Sequence, residues 1–146
     1  MRSTARNVSG CYQSIVDNGR QHGIVLDLPE AKEGSDLGPT ALELLAMSLA
    51  GCVSTIWAVV AGNSNVSYKK LLVELDTEKP DSEPTITAAK AVVYVESDEP
   101  VAKLERTLDK TMRVCPVGHL YENAGVEIET ELVVNNIPEY TGNGQG

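Results

Sequence analysis

Phenylalanine is absent from this 146-residue chain, and five Tyr and one Trp are its only aromatic residues. The core must therefore be filled by Val, Leu, Ile and Ala, and no aromatic platform for stacking bases or sugars is visible. Basic residues are scarce. Twelve Lys and Arg stand against 21 Asp and Glu, never gather into a run, and leave a net charge of −9. Such a chain repels phosphate backbones and anionic lipid, which argues against a nucleic-acid or membrane-surface partner. The cysteines at 11, 52 and 115 are too few, and odd in number, for the framework of a disulfide-rich secreted domain. The first residues lead into no apolar stretch, so neither a secretory signal nor a lipid anchor is expected and the cytoplasm is the expected location. A dinucleotide fingerprint, a phosphate loop and a serine elbow are missing, so no nucleotide cofactor is implied.

What is present is enough for one domain: 42% hydrophobic residues in a chain of ordinary domain length. A single domain over residues 1–136 is expected, with a mobile tail over 137–146. Residues 8–16 carry β-formers, Asp17-Asn18-Gly19 is a turn signal, and Ile24, Leu26 and Leu28 alternate beyond it, which reads as a hairpin. Pro29 to Pro39 has no period and reads as a loop. Thr40-Ala41-Leu42-Glu43 fits a capping box, so a helix begins there. From Leu44 to Ala61 no residue is charged, and a helix apolar on all faces must be buried all round. A bilayer span is the competing reading, against which stand its dilution by Ala, Gly and Ser and the lack of basic flanks.

Further on, Leu71, Val73 and Leu75 alternate, and Thr85 to Glu96 is a β-branched run. The Lys79 to Pro84 segment between them is a turn, so the two pair antiparallel. Asp98-Glu99-Pro100 starts a helix with Val101, Leu104, Leu108 and Met112 on one face, and Cys115-Pro116 begins a shorter one. Val126 to Val134 closes the chain as a strand. The order β-β-α-β-β-α-α-β favours an α+β fold with largely antiparallel sheet.

Few residues could do chemistry. Cys52 lies inside the uncharged helix, and by composition alone it is a core residue. Cys115 occupies an N-cap before Pro116, where the helix dipole and unpaired N–H groups favour a thiolate and lower its pKa. The two stand 63 positions apart, and a bridge needs Cα atoms within about 7 Å, so whether they meet is left open. Cys11 has no such context and reads as structural. His119 follows Cys115 by four residues and reads as solvated or hydrogen-bonded. A zinc site from Cys115, His119, Cys52 and His22 lacks the second close ligand pair of such sites, so no metal is expected. The capping box already accounts for Glu43, and Arg20 after the turn reads as solvated.

The segment Gly38-Pro39-Thr40-Ala41-Leu42-Glu43, the Leu49-Ala50-Gly51-Cys52 inside the helix, and the distant Cys115-Pro116-Val117 before a Gly-Val-Glu-Ile strand together resemble the OsmC/Ohr family. The resemblance covers about residues 8–134. It implies an intertwined homodimer whose sheets wrap long central helices. It also implies a thiol-dependent peroxidase of oxidative-stress defence, reducing organic or small hydroperoxides and reset by an external dithiol. In the family's peroxidases the residue matching Cys52 attacks the peroxide, and the one matching Cys115 condenses with the sulfenic acid to a disulfide. An arginine, best matched by Arg20, pairs there with a glutamate to activate the thiolate. The glutamate position falls on Leu42 in this chain. Glu43 stands one place on, rotated by about 100° around a helix, and is the candidate replacement, with His119 and Arg113 as further ones. The alternative function is a non-catalytic OsmC-like protein that senses redox state or binds a small ligand.

Overall fold

A computed structural model describes residues 1–139 of the protein, so residues 140–146 of the expected tail lie outside the described residues. Two compact units divide the chain, one from Met1 to Met47 and one from Ser48 onward.

The first unit holds a three-stranded antiparallel sheet, β1 (Thr4–Asn7), β2 (Ser14–Asp17) and β3 (Gly23–Leu26), in that order. The expected hairpin is β2 and β3, with Gly19 at φ +70° in the turn, a conformation that glycine adopts without a Cβ penalty. Strand β1 was not expected, because Thr-Ala-Arg-Asn shows no apolar alternation and all four residues are exposed. The expected loop from Pro29 contains one 3-10 turn, Glu30–Lys32. It is folded around Asp27, whose side chain is buried. That carboxylate accepts the backbone N–H groups of Leu28, Ser35 and Leu37 at 2.8, 3.2 and 3.2 Å and the Gln13 amide at 3.3 Å. Burial pushes its pKa up, but these hydrogen bonds favour the anion and the net direction is down. A Cβ at Gly38 would collide with the Val25 carbonyl, which explains the glycine ahead of Pro39 and the helix.

Helix α1 (Ala41–Asn63) starts at the capping box: Thr40 N–H donates to Glu43 Oε2 at 2.6 Å and Glu43 N–H to Thr40 Oγ1 at 3.2 Å. By length and composition it is apolar enough to span a bilayer. Within a single chain its burial is one-sided. Leu49, Val53, Trp57, Val60 and Ala61 are buried, whereas Leu45, Met47 and Val59 are exposed, so the helix is not covered all round.

In the second unit, β4 (Lys70–Glu78) and β5 (Ala88–Glu96) form the expected antiparallel pair. Alternate residues Ala89, Ala91, Val93 and Val95 of β5 are buried, and Lys90 on the other face pairs with Glu129 and Glu131. Strand β6 (Glu127–Val134) adds to β5 in parallel, so the sheet is mixed. A parallel pairing needs a crossover, and helices α2 (Val101–Val114) and α3 (Pro116–Asn123) supply it, both lying against β6. The buried residues of α2 are Leu104, Thr107, Leu108 and Thr111, not the expected Val101, which is exposed. Both threonine hydroxyls donate to the carbonyl four residues back, at 2.8 Å, and so enter the core satisfied.

Candidate functional site

Helices α1 and α3 each present one cysteine of the second unit. Cys52 lies in mid-α1 and is half-buried, while Cys115 is fully buried at the junction of α2 and α3. The junction follows from local rules. Pro116 cannot continue α2 because it lacks an N–H, yet its fixed φ suits the first position of a new helix. Cys115, with φ −72° and ψ 108°, becomes the N-cap, and its Sγ accepts the N–H of Gly118 at 3.4 Å. A Cβ on Gly118 would meet the Cys115 Cβ and Sγ at 3.4 and 3.5 Å, ordinary van der Waals contact. Cys52 is also a neighbour of Cys115 and acts on its acidity, so the structure brings near each other the two thiols that residue spacing alone left apart.

The acidity of Cys115 corrects an expectation. The N-cap position predicts a lowered pKa, but burial pushes the thiol up to about 11; the Gly118 N–H acts in the opposite direction and does not offset it, and the neighbouring Cys52 raises it further. A half-charge at a helix end is worth less than full desolvation of a thiolate.

His119 is engaged at both ring nitrogens, with Glu122 Oε2 at 3.0 Å and the Arg113 carbonyl at 2.9 Å. Two acceptors favour the doubly protonated ring, and the Arg113 carbonyl first and Glu122 second raise its pKa. Among the described residues no group of three or more His, Cys, Asp or Glu is placed to hold a metal ion.

Arg20 and Glu43 belong to the first unit. The exposed Arg20 uses its backbone N–H to close the turn on Asn18 Oδ1 at 2.9 Å. Among the described residues no ion pair joins it to Glu43, whose carboxylate is held by the Thr40 N–H. Cys11 is exposed, its thiol donating to the Val8 carbonyl at 3.3 Å. Gly118 was not singled out from sequence. The signal was there: once Cys115 is an N-cap and Pro116 the first helical residue, the third helical N–H is the one a cap side chain accepts.

One thiol within α1 and one at the N-cap of α3 thus neighbour each other on a mixed helix and sheet scaffold. The chain belongs to the OsmC-like protein family, whose model matches residues 33–131, about two thirds of it. Solved structures share the fold at low identity. An OsmC-like protein from Mycoplasma pneumoniae superposes with a TM-score of 0.82 at 16% identity, over 92% of this chain and 96% of that one. An organic hydroperoxide resistance protein OsmC from Legionella pneumophila gives 0.71 at 15%, over 92% and 98%. The organic hydroperoxide resistance protein OhrB of Bacillus subtilis gives 0.63 at 17%, over 90% and 96%. No curated protein matches the sequence.

Proposed function

We propose that the chain is a thiol-dependent peroxidase that reduces organic or small hydroperoxides in the cytoplasm. The proximity of half-buried Cys52 to buried Cys115 supports this reading, because it sets a reachable thiol beside one shielded from peroxide. The Cys52 thiolate attacks the O–O bond of ROOH, forming an S–O bond and leaving Cys52-SOH and an alkoxide that takes a proton to give ROH. Cys115 then displaces water from the sulfenic acid, forming the disulfide. An external dithiol reduces that disulfide and is itself oxidised. Arg20 enters as the activating cation on the family resemblance. In this reading Glu43 remains a helix cap.

A homodimer suits the exposed face of α1. Gly51, Thr55, Ala58 and Gly62 recur there at spacings of four, three and four, an uncharged small-residue seam that a second copy can pack closely. The non-catalytic reading keeps one specific support, Leu42 in the position where the family's peroxidases carry glutamate.

The test is consumption of cumene, t-butyl and hydrogen peroxides with dihydrolipoamide as reductant, comparing wild type with Cys52→Ser. Sustained turnover lost in the variant supports the peroxidase. A disulfide that forms once, without sustained consumption, supports the sensor instead.

A further inference from the structure

We propose that His119 is a positioning residue for Cys115: its imidazole, steered by Glu122, caps the end of α2 across the break at Pro116 and so keeps the Cys115 thiol shut inside the hinge between α2 and α3. The inference rests on the peroxidase reading for its purpose, since Cys115 is there the thiol that closes the disulfide. Its content rests on hydrogen-bond geometry.

The need for a cap follows from the sequence. Pro116 has no N–H to give to the Met112 carbonyl, and the ψ of 108° at Cys115 takes the N–H groups that follow out of line with α2. The Cys115 N–H turns to the Met112 carbonyl instead, at 3.4 Å. For the Arg113 carbonyl the donor is a side chain, His119 Nε2, at 2.9 Å and six positions on. Cys115 lies between these two residues, so the bond closes a loop around its backbone. His119 grips the junction twice, because its own N–H also donates to the Cys115 carbonyl at 3.0 Å. On the far side of the ring, Nδ1 meets Glu122 Oε2 at 3.0 Å, three residues along α3. A carboxylate fixed on one ring nitrogen sets the plane of the imidazole and aims the other nitrogen at its partner.

Both partners are acceptors, so both ring nitrogens must donate, which only the imidazolium can do. Glu122 is the charged side chain that meets this half-exposed ring. Asp109, Lys110 and the Arg113 guanidinium on α2 and Glu127 on β6 form no ion pair with it among the described residues, and Glu129 and Glu131 of β6 are engaged by Lys90. The Arg113 carbonyl first and Glu122 second raise the pKa of His119 on folding. The clamp is therefore complete below the ring's ordinary value of 6.5 and is lost as pH rises through the higher folded value. A neutral ring has one proton for two acceptors, so either the cap on α2 or the brace from Glu122 goes, and the hinge over Cys115 loosens. The external dithiol of the proposed cycle has to reach a disulfide with one buried sulfur, so this hinge governs the resetting step.

The experiment measures how fast methyl methanethiosulfonate modifies Cys115 in full-length Cys11→Ser, Cys52→Ser protein, from about pH 6 to about pH 9, with and without His119→Ala. The ionisation of the thiol itself cancels in the ratio of the two rates. The variant should react about tenfold faster on the acid side, where the clamp is whole, and within about threefold on the alkaline side. The midpoint of that change should coincide with the titration of the His119 ring followed by NMR. A ratio near one throughout, or one that does not vary with pH, overturns the inference. Glu122→Gln keeps the ring and covers a His119→Ala protein that does not fold. It should speed modification about threefold between the ordinary and the raised ring values and much less above them; no acceleration in that window overturns the inference. Neither readout involves peroxide. Sustained peroxide turnover with Cys115 modification indifferent to His119 refutes the positioning role alone, and a pH-dependent clamp without peroxide consumption refutes the proposed function alone.

Discussion

Thr40 and Glu43 hydrogen-bond each other's backbone N–H groups, at 2.6 Å to the carboxylate and 3.2 Å to the hydroxyl. The carboxylate is therefore spent on the first turn of α1. Glu43→Ala should lower stability by about 1 kcal/mol, the usual worth of such a cap. Peroxide turnover per folded molecule should stay within about twofold, since a cap does not act on transition-state energy. A loss of more than tenfold in kcat/KM, with stability unchanged, would instead make Glu43 catalytic. Chemical denaturation and steady-state kinetics on one preparation decide between the two.

Asp27 gives the fold an acid-sensitive point. Its pKa is lowered on folding, so its contribution to stability is fully present above the unfolded value of about 3.9 and is lost as pH falls through the lower folded value. Asp27→Asn should reduce the melting temperature by several degrees at neutral pH. The gap between variant and wild type should narrow as the pH is taken down through 4 and below. Calorimetry across that range checks the sign, and a gap that widens in acid contradicts the assignment.

The seam on α1 predicts an assembly state. Ala58→Glu places a charge amid Gly51, Thr55 and Gly62, where a second copy would have to bury it unpaired. Sedimentation should show a dimer for wild type and a monomer for the variant. A wild-type monomer at micromolar concentration would remove the homodimer from the proposed function.

Much of the architecture is legible from sequence because it rests on short-range rules. The capping box at Thr40, the β4–β5 pair and the N-cap at Cys115 each follow from residues within a few positions of one another. The features that escaped depend on what the chain meets in space. Strand β1 is polar and is held by pairing with β2, not by its own pattern. The parallel sense of β6 leaves no mark in its alternation. Thr107 and Thr111 look like surface residues until their hydroxyls are turned back onto the helix. The direction of the Cys115 shift depends on desolvation, which no spacing reports, and its neighbour Cys52 stands 63 positions away in sequence. Thus residue spacing showed two separate thiols, and only the family resemblance made them a pair.

The parallel pairing of β6 also orders the way the chain folds. Strands β4 and β5 are joined by a short turn and can zip together early, at little loop-closure cost. Strand β6 can dock only after the segment between Glu96 and Glu127 has been organised as α2 and α3. Cys115 sits at the hinge of that segment, so its cradle is completed among the last steps. A nascent or heat-stressed molecule therefore passes through a stage with its sheet begun and the Cys115 thiol uncovered. At that stage the thiol is open to the very oxidants against which the finished protein shields it.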